Sequence, residues 1–106
     1  MPKSERTKLL DEMTRVNYLI AEYERRIILT RHHITKLEEQ LESKDIIVID
    51  SDTKEKASTL KLIETISDDR DRIETYIANI GKLYVYLDNL REDLNKLDEK
   101  WDEVFA

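Results

Sequence analysis

The sequence contains no cysteine, and it has only one glycine and one proline among its 106 residues. Without cysteine the chain has no disulfide, no thiolate nucleophile and no cysteine-ligated metal. Glycine and proline are the residues that most often interrupt helices and strands. We therefore expect a few long regular elements instead of a globular domain with many turns.

Long apolar runs are also missing. No stretch approaches the roughly 18 apolar residues of a membrane-spanning helix, and the first residues, from Met1 to Arg6, lack the apolar segment of a signal peptide. We expect an intracellular, cytoplasmic protein with no membrane contact, with the nucleus as a further location if the source is eukaryotic.

Apolar residues recur at alternating spacings of four and three along two stretches of the chain. In the first stretch nine of ten such positions are apolar: Leu9, Met13, Val16, Ile20, Tyr23, Ile27, Thr30, Ile34, Leu37 and Leu41. In the second, twelve of fourteen are: Thr59, Leu62, Ile66, Asp69, Ile73, Tyr76, Ile80, Leu83, Leu87, Leu90, Leu94, Leu97, Trp101 and Val104. A repeat that averages 3.5 residues is the pattern of a coiled coil, whose core positions are called a and d in a heptad lettered a to g. In this register Met13, Ile20, Ile27, Ile34 and Leu41 are a positions of the first stretch, and Ile63, Ile77 and Tyr84 are e positions of the second, so that Asp69 is a d position.

The segment between the two stretches favours a change of chain direction. Ile46-Ile47-Val48-Ile49 is stiff at χ1 and favours extended backbone, and Asp50-Ser51-Asp52 supplies turn and capping side chains. The sequence predicts an all-α fold in which two long antiparallel helices form a coiled-coil hairpin. We expect a single domain over residues 1–106, with a helix at 5–44, an extended hinge at 45–52 and a helix at 53–104.

Ser4 is the expected N-cap of the first helix. If the chain reverses at the hinge, Thr30 and Asp69 fall at one level and are expected to share a polar layer. Polar layers of this kind fix the register of paired helices at a cost in stability.

Eight large apolar residues near the middle of the two stretches lie outside the a and d positions, which a helix packed on one side only does not require. They predict a second contact surface and an oligomer interface: Tyr18, Leu19, Ile28, Leu29, Ile77, Tyr84, Val85 and Tyr86. Ile77 and Tyr84, together with Ile63, are expected to broaden the buried stripe of the second helix. We expect a homo-oligomer, most simply a dimer of hairpins that forms a four-helix bundle.

The second helix is expected to extend beyond the first at its carboxyl end. This predicts an exposed apolar end made of Leu94, Leu97, Trp101, Val104 and Phe105.

Nothing in the sequence indicates catalysis. It has no glycine-rich phosphate loop and no suggestive grouping of serine, histidine and aspartate, so we expect no enzyme, no cofactor and no catalytic residue. His32 and His33 fall at outward positions, and we expect surface histidines and no metal site.

Negative charge is concentrated in the second part of the chain. Residues 1–41 carry 8 basic and 7 acidic side chains, whereas residues 42–106 carry 10 and 17. This charge repels nucleic-acid phosphates and favours a protein partner with a basic surface, although an acidic solvated face also keeps a helical bundle soluble. We expect a structural or adaptor protein that self-associates and binds a partner with a basic or apolar surface, and no nucleic acid. The alternative is a small acidic inhibitor, of the type that phages and viruses encode, which occupies a basic or nucleic-acid-binding site.

The hinge resembles a SUMO-interacting motif through Ile46, Ile47, Val48 and Ile49 followed by Asp50 and Asp52. This resemblance implies an adaptor whose apolar core adds a strand to the edge of a partner's sheet. The other interpretation is that the segment pairs with its own copy or packs on the helix ends.

One passage of the sequence runs from Ile47-Val48 through Thr53-Lys54-Glu55-Lys56 to Leu60-Lys61 and Ile63-Glu64-Thr65. It is similar to the passage from strand to helix in β-type prefoldin subunits. The similarity implies a chaperone that holds unfolded clients at apolar helix tips. The chain departs from that family because Ser43-Lys44 leads directly into the apolar run, without the preceding strand of the β-hairpin.

Overall fold

The structure, a computed structural model, describes residues 4–45 and 53–105, with side chains described for residues 4–43 and 56–100. Helix α1 spans Glu5–Asp45 and helix α2 spans Thr53–Phe105, and these described residues contain no strand. The predicted all-α helical hairpin is confirmed. Each helix ends one residue later than predicted, and Asp45, which we had assigned to the hinge, belongs to α1. Residues 46–52, the rest of the hinge, lie outside the described part of the chain.

Ser4 caps α1 as predicted. Its side-chain Oγ accepts a hydrogen bond from the backbone N–H of Thr7 at 3.2 Å, and its carbonyl accepts one from the N–H of Lys8 at 3.0 Å. The first bond satisfies the amide of Thr7, which has no partner inside the first turn of the helix, and the second is the first hydrogen bond of the helix itself. Glu5, in that turn, places a negative charge at the positive end of the helix dipole.

The chain divides into two compact units, each built from one segment of α1 and one segment of α2. Unit 1 comprises Met1–Glu24 and Ala78–Ala106, and unit 2 comprises Arg25–Ile77. The core of unit 1 consists of Val16, Ile20, Leu87 and Leu90, with Leu9, Met13, Ile80 and Leu83 packed against it. The core of unit 2 consists of Ile34, Leu37 and Ile66, with Leu41, Leu62 and Ile73 packed against it. All of these residues occupy predicted a or d positions.

Contacts between the helices follow the order expected for the two arms of a hairpin in unit 1, whereas the two contacts of unit 2 involve adjacent residues of α2. In unit 1, Arg6 pairs with Asp98 at 3.1 Å and Tyr86 contacts Glu12 at 3.3 Å. In unit 2, His33 pairs with Asp69 and Glu38 pairs with Arg70. Partner numbers decrease along α2 from Asp98 to Tyr86 as they increase along α1, as expected when the chain reverses between the helices.

Gly81 lies in the middle of α2 and is exposed. A Cβ atom added at this position would have no heavy atom of the chain within 4 Å. Close packing within the chain therefore does not require a glycine here. The residue weakens the helix because its backbone loses more conformational freedom on folding than that of alanine.

We expect Gly81→Ala to raise the free energy of unfolding by about 1 kcal/mol. Urea denaturation followed by circular dichroism measures this change. The reciprocal control is Ala78→Gly, an exposed position of α2 in the same unit, which should lower stability by a similar amount. An unchanged or lowered stability of Gly81→Ala would mean that a group from outside the single chain packs against this position.

Candidate interaction surfaces

Unit 1 presents four large apolar or aromatic side chains to solvent from the predicted oligomer interface. Tyr18 is 67% exposed and Val85 is 63% exposed, and Tyr84 and Tyr86 are also exposed. Leu19, the remaining predicted residue in this unit, is half-buried. The exposed side chains occupy e, f and g positions, which do not face the other helix of a pair.

Unit 2 presents a second set. Ile28, Leu29 and Ile77 of the predicted interface are exposed, and so are Leu60 and Ile63. The sequence analysis did not assign Leu60 to a surface, although its position three residues before Ile63 places both on one side of α2.

The expectation that Ile63, Ile77 and Tyr84 broaden the buried stripe is not met within a single chain, because each is about half exposed. These residues occupy e positions. In a pair of helices only the a and d positions point directly at the partner helix, so an e residue stays at the solvent edge until another helix covers it.

An open groove of about 450 Å³ lies along one side of unit 1. Four of its lining residues occupy g positions, which lie on the same side of an antiparallel pair: Glu5, Glu12, Tyr86 and Asp93. The others are Lys8, Leu9 and Leu90. Leu90 is buried and Leu9 is half-buried, so the floor of the groove is apolar and its rim carries three carboxylates and one ammonium group.

Glu12 joins the two helices at this groove. Its carboxylate accepts a hydrogen bond from Tyr86 Oη at 3.3 Å and one from Arg15 Nε at 2.9 Å. The hydrogen bonds and charge of Arg15 hold the pKa of the Glu12 carboxyl below its ordinary value, with a smaller contribution from Tyr86. The same contact with Glu12 raises the pKa of the Arg15 guanidinium.

A buried carboxylate lies in unit 2. Asp69 is only 2% exposed, and it contacts His33 Nδ1 at 2.5 Å through Oδ2 and Arg72 Nη1 at 3.3 Å through Oδ1. Sequence analysis placed Asp69 at a d position but expected it to meet Thr30. The residue that meets it is His33, whose side chain is 54% exposed and which we had treated only as a surface histidine.

The direction of helical side chains explains this difference. Each Cα–Cβ bond tilts towards the N-terminus of its own helix, so in an antiparallel pair the two side chains lean in opposite directions. Two residues whose side chains meet therefore lie further towards the C-termini of their own helices than two residues whose Cα atoms are at equal height. His33 lies three residues beyond Thr30, at the edge of the seam, in the direction that this lean requires.

The predicted exposed apolar end is described only in part. Leu94 and Leu97 are half-buried in unit 1. The backbone of α2 is helical to Phe105, but the side chains of Trp101, Val104 and Phe105 lie outside the described residues. The predicted partner-binding residues of the hinge, Ile46, Ile47, Val48, Ile49, Asp50 and Asp52, also lie outside them.

Among the side chains that the structure describes, no three of histidine, aspartate and glutamate are grouped as metal ligands would be. Neither helix, over its described residues, has a segment long and apolar enough to cross a membrane. No protein-family model, curated protein or solved structure matches this chain. A functional conclusion therefore depends on the surfaces of the two units themselves.

Proposed function

We propose that this chain is an intracellular, non-catalytic coiled-coil protein that associates with copies of itself and serves as a structural or adaptor component. The observation that supports this proposal is the amount of apolar surface that a single chain leaves in contact with water. Ten large apolar or aromatic side chains among the described residues are exposed, distributed over both units. Single exposed apolar residues are common, but monomeric proteins rarely expose larger contiguous apolar patches.

The energy available from burying these side chains is sufficient for association. Complete burial of one large apolar side chain contributes roughly 1.5 to 3 kcal/mol, and the loss of translational and rotational freedom costs roughly 4 to 15 kcal/mol. A symmetric dimer buries each participating residue twice, because the same patch is used by both copies. Two such residues in each copy, for example Tyr18 and Val85, contribute at most roughly 6 to 12 kcal/mol and offset only part of that range, so association requires several in each copy.

A dimer of hairpins is the simplest assembly that covers the exposed apolar positions outside a and d on both helices. The four helices would then form a bundle in which the a and d residues face the intrachain partner and the outer apolar residues face the second copy. In unit 1 the outer residues are Tyr18, Tyr84 and Val85. In unit 2 they are Ile28, Ile63 and Ile77.

The proposed dimer predicts that Tyr18→Glu combined with Val85→Glu yields a monomer. Both positions are more than 60% exposed in the single chain, so the new carboxylates leave the core of unit 1 intact. In an interface the same carboxylates would be desolvated without partners, which is strongly unfavourable. Light scattering at about 100 μM, where an interface of micromolar affinity is close to saturation, measures the mass in solution.

The matched control is Asn89→Glu combined with Asn95→Glu, which adds the same charge at two exposed polar positions of unit 1. This variant should keep the mass of the parent protein. A parent protein that is already monomeric at about 100 μM would contradict self-association. The exposed apolar residues would then have to contact a different protein.

A further inference from the structure

We infer that the groove of unit 1 binds a basic amphipathic helix from a partner protein. The inference specifies the partner of the adaptor proposed above, and it does not require self-association. It is based on two features that occur together in the groove: an apolar floor made by Leu9 and Leu90 beside Tyr86, and a rim whose three carboxylates, those of Glu5, Glu12 and Asp93, outnumber its one ammonium group, that of Lys8.

The apolar floor indicates a helix as the ligand. The groove lies between two helices, so a third helix can lie along it and place apolar residues at spacings of three, four and seven against the floor. Its volume of about 450 Å³ and its open form suit a row of side chains, not an enclosed small molecule.

The rim indicates the charge of that helix. Among the described residues, the carboxylates of Glu5 and Asp93 have no hydrogen bond or ion pair, whereas the carboxylate of Glu12 is held by Arg15 and Tyr86. A purely apolar partner would remove water from these carboxylates without replacing it, which is unfavourable. Lys8, the one cation on the rim, balances at most one of these carboxylates. A partner with lysine or arginine beside its apolar stripe supplies a further cation and is attracted from a distance.

The same charges argue against unit 1 of a second copy as the occupant of the groove. A two-fold symmetric contact places each groove against itself, and the rims then bring Glu5, Glu12 and Asp93 of both copies together. Like charges facing each other are destabilising. The whole of unit 1 carries 8 basic and 12 acidic residues in the sequence, so its other faces offer no strongly basic surface to the groove.

A synthetic peptide tests the inference. The probe is a helix of about 18 residues, long enough for stable helicity, with leucine at spacings of three and four and lysine on both flanks. The comparison peptide has glutamate in place of every lysine. Binding to the full-length chain is measured by fluorescence anisotropy, and we expect saturable binding of the lysine peptide that is at least tenfold tighter than that of the glutamate peptide.

Two pairs of variants locate the binding. The double substitution Glu5→Gln and Asp93→Asn should lower the affinity of the chain for the lysine peptide by roughly three- to tenfold, as expected for the loss of two exposed ion pairs. Glu64→Gln with Glu74→Gln removes the same charge from exposed positions of unit 2 and should leave the affinity unchanged. Tyr86→Ser should also lower the affinity for the lysine peptide. Tyr84 is an exposed tyrosine on the other side of α2, and Tyr84→Ser should leave the affinity unchanged.

Light scattering on the same samples separates this inference from the proposed self-association. The peptide should bind both the parent chain and the variant with Tyr18→Glu and Val85→Glu, because neither residue lines the groove. The inference is overturned if the lysine peptide does not bind, if the glutamate peptide binds equally well, or if the unit 2 variant loses as much affinity as the groove variant. If the parent chain is monomeric and binds the peptide in the groove, the proposed self-association is wrong and the inference about the groove is supported.

Discussion

Replacing Leu87 by alanine is expected to lower the free energy of unfolding by about 2 to 5 kcal/mol. Leu87 is 1% exposed and packs with Val16, Ile20 and Leu90 in the core of unit 1. The substitution removes apolar contacts and leaves a cavity that the surrounding helices fill only in part. A chain of this size has a total stability of about 5 to 15 kcal/mol, so the loss is a large fraction of the whole.

Leu60→Ala is the matched control for this prediction, because it makes the same substitution at a residue that is 61% exposed. Its cost should be within about 0.5 kcal/mol of zero. Chemical denaturation of both substitutions in the background of Tyr18→Glu and Val85→Glu, which is expected to be monomeric, measures the difference without a contribution from association. A cost for Leu87→Ala as small as that for Leu60→Ala would contradict the packing described for unit 1.

The core of each unit could be predicted from the heptad repeat. Val16, Ile20 and Leu87 in unit 1, and Ile34 and Ile66 in unit 2, are buried at the positions where the alternation of three and four residues places them. The repeat succeeds because burial on a helix depends on angular position, and that position is fixed by residue number alone. The same rule located Asp69, since a d position is buried whether its residue is apolar or polar.

Helix ends were predicted to within one residue because local chemistry determines them. Ser4 caps the first turn of α1 through its own side chain and carbonyl. Such contacts involve residues only three or four apart, so the sequence contains all the information that they require.

Contacts between the helices could not be predicted to the same accuracy. The partner of Asp69 depends on the separation of the helices and on how far each side chain reaches, and neither quantity follows from periodicity. Arg72 reaches Asp69 from the next turn of the same helix, and His33 reaches it from α1. The groove of unit 1 was missed for the same reason, because a groove is a property of two helices.

The exposed apolar residues show a further limit of the heptad repeat. Periodicity identified Tyr18, Ile28 and Val85 as surplus to the intrachain seam, and all three are exposed in the single chain. Which surface covers an exposed residue depends on the chemistry of another molecule. The charge at the groove rim restricts that choice in unit 1, where carboxylates stand beside the apolar floor.

We expect Asp69→Leu to raise the free energy of unfolding of the chain by about 1 to 4 kcal/mol. The Asp69 carboxylate is almost completely buried, and burial of a charge is unfavourable unless its partners compensate fully. Its two partners, His33 and Arg72, have side chains that are 54% and 65% exposed, so solvent weakens both contacts. Leucine would extend the apolar core of unit 2, and the two freed partners would remain in contact with water.

The control for this substitution is Asp68→Leu, which removes a carboxylate from the adjacent exposed position and should change stability by no more than about 0.5 kcal/mol. The gain in Asp69→Leu should be accompanied by looser pairing, because a buried polar group disfavours the registers in which it is left without partners. Spin labels at positions 38 and 70, whose native side chains form an ion pair at 3.0 Å, measure this as a broader distribution of distances. If Asp69→Leu is less stable than Asp68→Leu, the contacts with His33 and Arg72 more than offset the desolvation of the carboxylate. Asp69 would then stabilise the fold as well as fix the register of the two helices.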